Sequence, residues 1–207
     1  MAAELPELTV ADVGAWHEWL ATHAESSTGV WLVLAKKGTV EPTSLSYADA
    51  LDEALCFGWV DGQIVGRDAV TFRRRFTPRR AGSAWSQRNT QHVERLSAAN
   101  RMRPAGLAAV DRAKADGTWD AAYAGAATIQ MPEDLAKALS KHPRAQAVFE
   151  RLDGANRYAV LYRVTTAKRA DTRTRRIEQL VAMLDRGETP HPVRPRDRTA
   201  RADHVKA

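Results

Sequence analysis

At 207 residues, 44% of them hydrophobic, the chain has enough apolar material for one large or two small globular cores. Its single cysteine excludes an intramolecular disulfide and a cysteine-built zinc site, and no run of 18 apolar residues predicts a membrane span. The net charge of +6 hides a block pattern: residues 1–66 carry −8, and residues 67–103, with ten arginines, carry +8. Such a block predicts either an anionic partner or an internal match to the acidic front.

Thr9 followed by Asp12 fits a capping box, and Val13, Trp16 and Leu20 follow at helical spacing, which predicts a helix over about 10–23. His17 and His23, six apart, share no i, i+4 face and read as surface histidines. GVWLVLAKKG from Gly29 is a strand bounded by glycines. Ser46 and Asp49 form a second capping box, and Tyr47, Ala50, Leu51, Ala54 and Leu55 make the apolar stripe of a helix that stops near Gly58. The segment CFGWVDGQ, residues 56–63, then reads as a helix end followed by a turn at Asp61-Gly62.

QIVGRDAVTFRRRF has the pattern of a β-hairpin with its turn at Gly66–Asp68. In its second strand Val70, Phe72, Arg74 and Phe76 share one face, so Arg74 interrupts an apolar row and calls for a rim position or an acidic partner. Pro78 ends that strand. Ser83 is the expected cap of a helix carrying Trp85, Val93 and Leu96, and Pro104 opens another that runs to Gly117. Residues 118–131 show little helical pattern and read as a connection. From Pro132 the stripes of PEDLAKALS, PRAQAVFERL and ANRYAVLYRV predict helices, followed by one from Asp171 or Thr172 that ends at Gly187. The expected fold is α+β: a mixed α/β domain with a small antiparallel sheet over 1–117, a connection over 118–131, a helical domain over 132–187, and a disordered basic tail over 188–207.

The familiar catalytic signatures are absent: no phosphate loop, no dinucleotide fingerprint, no nucleophile elbow and no zinc-protease motif. Cys56 sits at a helix C-terminus, where the dipole opposes a thiolate, and reads as a small buried hydrophobe rather than a nucleophile. The residues that remain for binding are Trp59, Asp61 and Gln63 in the first segment and Arg75, Arg79, Arg80, Trp85, Ser86 and Asn89 in RRRFTPRRAGSAWSQRN. Arginines without nearby acids, a flat indole and hydrogen-bonding side chains suit an anion. The short hairpin between the two segments makes them two walls of one pocket, with Asp61 organising Arg75, Arg79 or Arg80. The competing reading has Asp61 capping a local turn and the arginines pointing into water. The basic run AKRADTRTRRIEQL lies near a helix start, where the dipole disfavours it unless acids compensate.

The stretches EALCFGWVDGQ and RFTPRRAGSAWSQRN, within Trp31 to Asn89, together with MPEDLAKAL and TTAKRADTRTRRIEQLVAML further on, resemble the YdeI/OmpD-associated bacteriocin-protection family. The resemblance implies protection against bacteriocins or antimicrobial peptides, or a stress response, and by name an association with an outer-membrane porin. It brings no agreed catalytic residue.

Three functions follow as expectations. The first is a cytoplasmic, non-enzymatic protein that binds an anionic ligand or a protein partner and needs no cofactor or metal. The second is an enzyme on an anionic small molecule with Asp61 as acid/base. The third, less favoured, is a nucleic-acid-binding module using residues 67–103, which lack an accompanying nucleic-acid-binding signature.

Overall fold

Residues 4–192 are described by a computed structural model, in which the chain divides into two units, Met1–Ala122 and Tyr123–Ala207. Of the expected tail, residues 193–207 lie outside the described residues.

The first unit opens with β1 (Glu7–Leu8) and α1 (Val13–His23). Asp12, not Thr9, caps α1: its carboxylate accepts the Ala15 amide at 2.9 Å, so the helix starts later than the spacing suggested. β2 (Val30–Ala35) follows, then α2 (Tyr47–Cys56), capped as expected by Ser46, whose hydroxyl accepts the Asp49 amide. α2 ends at Gly58, whose φ of +74° is the left-handed region that glycine favours. A side chain there would also come within 2.8 Å of the Ala105 carbonyl.

The next segment departs from the expected turn. β3 runs without interruption over Trp59–Gly66, and Asp61-Gly62 sit inside it at a register irregularity between Asp61 and Ile64. β3 and β4 (Thr71–Pro78) form the expected hairpin, and β4 also pairs antiparallel to β2. The sheet order is β1-β2-β4-β3. Because β1 lies parallel to β2, the sheet is mixed rather than purely antiparallel. Two residues carry no periodicity, which is why β1 left no signal.

α3 (Gln87–Ala98) is capped by Ser86 rather than Ser83. Residues 83–85 lie ahead of the helix, and Trp85 is buried 5.0 Å from Trp119. α4 (Pro104–Ala115) begins at its proline as expected. Gly106 is the contact point between α4 and α2: a Cβ there would fall 2.1 Å from the Cys56 carbonyl oxygen. α2 therefore sits between two clusters. Ala50 and Ala54 join Trp16, Leu20, β2 and Phe76 against the sheet, while Leu51, Leu55 and Cys56 join Trp85, Val93, Leu96 and Val110 on the other side.

The second unit holds α5 (Glu133–Ser140), α6 (Pro143–Glu150), α7 (Gly154–Thr165) and α8 (Ala170–Asp185). Its core is built from Leu135, Leu139, Phe149, Val160, Leu161, Val164, Leu180 and Leu184. The arginines at the start of α8 are resolved by their neighbours. Arg173 pairs with Asp134 at 2.6 Å and donates to the Val164 carbonyl, and Arg176 donates to the Arg163 carbonyl. They serve the C-terminal end of α7, where positive charge is favoured. The fold is α+β.

Candidate functional site

The expected pocket residues fall into separate places. Trp59 is fully buried, donates its indole N–H to the Ala24 carbonyl and packs edge-on against Trp16 and Trp19. Its ring is core. Gln63 and Arg75 are exposed. Ser86 and Asn89 are engaged in starting α3, the hydroxyl of one accepting the amide of the other.

Asp61 lies opposite Phe76 in the hairpin, so strand alternation puts Arg74, not Arg75, diagonally beside it on the same face. The Arg74–Asp61 pair is 2.6 Å long, and the Tyr47 hydroxyl donates to the same carboxylate at 2.9 Å. Of the two expectations for Arg74, a rim position or an acidic partner, the structure gives the second, with Asp61. The Arg74 guanidinium lies 4.2 Å over the Tyr47 ring, an arrangement that accompanies a buried Nε with no hydrogen-bond partner. Burial, reinforced by Asp61, pushes the Tyr47 phenol up to about 12.

Arg79 stacks 3.6 Å over the buried Trp85 ring and donates to the Ala84 carbonyl. Together with Arg80, Arg112 and Asp116 these residues border a nook of only about 10 Å³, the room of a single water rather than of an organic ligand.

A second polar cluster forms around two adjacent carboxylates of α2, which diverge because neighbours on a helix do not share a face. Asp52 points to α3, where it accepts from Arg95 at 2.6 Å and pairs with His92 at 2.8 Å. Burial raises its pKa, but the hydrogen bonds from Arg95 and His92 outweigh burial and hold it below the ordinary value. Glu53 turns toward α1, shares Arg101 with Asp52, and is 6% exposed. One of its oxygens is bound by Arg101, and the other lies 2.7 Å from His17 Nδ1. Arg103 approaches His17 Nε2 at 3.2 Å. Since a guanidinium only donates, Nε2 accepts, and His17 carries its proton on Nδ1 for Glu53. His17 is therefore not a free surface histidine.

His17, Phe57 and Arg103 line a cleft of about 440 Å³ between α1 and the start of α4. Its walls are Leu20, Ala24, Pro104 and Ala105, and Glu25 is the acidic group on its lining. The cleft is within the size range of ligand sites. Cys56, beside Glu53 at the end of α2, is 1% exposed, and burial followed by the Glu53 charge pushes its thiol up to about 11. It is the small buried residue that the sequence led one to expect.

The histidine–glutamate pair was legible only as a hint. Glu53 lies three residues after Ala50 and one before Ala54, within the buried stripe, and a carboxylate there demands a partner. Among the described residues, no group of three or more His, Cys, Asp or Glu is placed to hold a metal ion, and no helix is long and apolar enough to cross a membrane. The second unit carries a groove of about 360 Å³ between α7 and α8, bordered by Tyr162, Arg163, Arg176 and Met183.

Comparison with curated proteins and with solved structures finds no match. Residues 8–109, which include the Trp31 to Asn89 segment, match a family model described as a domain of unknown function (DUF8412). Over residues 128–187 the chain matches the family model described as "Bacteriocin-protection, YdeI or OmpD-Associated", the family that its sequence resembles.

Proposed function

We propose that this chain is a protection or stress-response protein that acts by binding, and that its first unit takes a small anionic ligand in the cleft between α1 and α4. The family match supports a bacteriocin-protection role at the level of the family. The observation that carries the ligand reading is Arg103, a cation on a cleft of about 440 Å³ whose neighbouring acid, Glu53, is already occupied by His17 and Arg101. Arg103 has a guanidinium fork for a carboxylate, and Phe57 offers a flat apolar surface beside it. Glu25 on the same lining opposes a highly charged ligand and favours a monoanion. A small aromatic carboxylate meets all three conditions.

Nucleic acid binding gains no support from the geometry. Arg67 and Arg73 pair with Glu7, Arg74 with Asp61, Arg95 with Asp52 and Arg101 with Glu53, so half of the ten arginines in the basic block are matched by the acidic front. The enzyme reading based on Asp61 meets a carboxylate held by Arg74 and Tyr47. Cytoplasmic location and a protein partner remain parts of the proposal, to be checked by fractionation and by co-purification.

Isothermal titration with para-hydroxybenzoate tests the reading. Saturable binding that weakens at least tenfold in Arg103→Ala is expected. Equal affinity in the variant would place the anion elsewhere.

A further inference from the structure

Resting on that binding reading, we propose that the α1–α4 cleft is also a hydrolytic site, in which His17 acts as general base toward water on a small ester that bears a carboxylate. A general base needs a histidine whose far nitrogen is fixed and whose near nitrogen faces space for substrate. His17 has both. Its Nδ1 is held at 2.7 Å by Glu53, and Glu53 is itself buried and anchored on its other oxygen by Arg101. Its Nε2 accepts from Arg103 at 3.2 Å, and both residues line the cleft. A substrate carboxylate that takes the Arg103 guanidinium releases the Nε2 lone pair, so binding and activation are one event.

The nucleophile is water: the Cys56 thiol is buried and held protonated by burial and Glu53, and the Thr22 hydroxyl on the lining donates to the Glu18 carbonyl at 3.0 Å instead of to His17. Water oxygen bonds to the ester carbonyl carbon while one water proton passes to His17 Nε2. The carbonyl π-electrons move to oxygen, while Arg103 stays on the substrate carboxylate. Collapse of the intermediate breaks the bond to the leaving oxygen, which takes the proton back from Nε2. One water is consumed and one carboxylic acid and one alcohol are formed, with no change of oxidation state. Glu53 touches His17 and not the substrate, and is a positioning residue.

The probe is para-acetoxybenzoate, with phenyl acetate as the ester that lacks a carboxylate, hydrolysed by the full chain. Wild type is expected to prefer para-acetoxybenzoate at least tenfold in kcat/KM. His17→Gln is expected to lower kcat about 100-fold, within the usual range for a lost general base. Glu53→Gln is expected to lower kcat and to move the acidic limb of the pH–rate profile, which a purely structural role would leave in place. Arg103→Ala, a change at the cleft surface, is expected to abolish the preference between the two esters. Turnover that survives His17→Gln, or a preference that survives Arg103→Ala, overturns the proposal. Wild type that binds para-hydroxybenzoate but hydrolyses neither ester above buffer overturns hydrolysis alone. Failure to bind para-hydroxybenzoate overturns the binding reading and hydrolysis with it.

Discussion

Two clusters of the first unit use the same parts and differ in one respect. Asp61 and Arg74 of the hairpin with Tyr47 at the start of α2, and Glu53 of α2 with His17 of α1, Arg101, Arg103 and Phe57, each join a carboxylate, arginine and an aromatic ring. In the hairpin the carboxylate is bound by the arginine and the phenol, and the guanidinium is stacked on that same phenol ring. At α2 the chain of contacts ends on a histidine nitrogen and an arginine that line a cleft of about 440 Å³. The difference teaches that charge and aromaticity, which the sequence displays most loudly around Arg73 to Trp85, do not by themselves mark a site. The proposed site rests instead on open space beside a held polar group.

The strongest way to break this contrast is at the α2–α4 contact, on which the position of Arg103 depends. Gly106→Ala forces a Cβ to within 2.1 Å of the Cys56 carbonyl, a backbone atom that cannot step aside cheaply. A loss of about 2–3 kcal/mol in urea unfolding is expected, typical of overpacking, together with loss of para-hydroxybenzoate binding. A neutral substitution would mean that α4 is free to shift.

The next effect sharpens the other half of the comparison. Asp61→Asn removes the charge that meets Arg74 and is expected to cost about 1–2 kcal/mol, as for a partly buried charged hydrogen bond. Affinity for para-hydroxybenzoate should not change. Weakened binding with intact stability would transfer the functional role to the hairpin.

A smaller effect should follow pH. Asp52 is held below its ordinary pKa, so the stability it contributes is present in full above about pH 5, a unit beyond the unfolded value near 3.9, and is lost as pH falls through its lower folded value. The stability gap between wild type and Asp52→Asn should therefore narrow on acidification and be constant above about pH 5. A gap that widens in acid would reverse the assigned sign.

Much of this arrangement was readable because it is short in sequence. The Ser46 cap, the left-handed Gly58, the buried Cys56 and the hairpin follow from residues within a turn or two of one another. Strand alternation put Arg74 on the apolar face, where it needed a rim position or an acidic partner, and Asp61 is the latter. What misled was the start of the strand. With a turn placed at Asp61-Gly62, the neighbouring arginines of choice were Arg75, Arg79 and Arg80, whereas β3 begins at Trp59 and alternation gives Asp61 to Arg74. Ser83 and Ser86 were indistinguishable as caps without knowing that Trp85 had to reach the core before the helix began. His17 and Glu53 are 36 positions apart, and only packing of α1 on α2 brings them together.

The smallest expected effect is on the residue the sequence emphasised. Arg75→Ala, at an exposed strand position, should change stability by less than about 0.5 kcal/mol and leave carboxylate binding as it was. A measurable loss of either would restore Arg75 to the site.

The most direct measurement is an amide chemical-shift map of the chain titrated with para-hydroxybenzoate. The account predicts saturating shifts at His17, Ala24, Phe57, Arg103 and Ala105, with Tyr47, Arg74, Arg80 and Gly82 unmoved. Shifts confined to the second group, with the residues of the cleft silent, would contradict it.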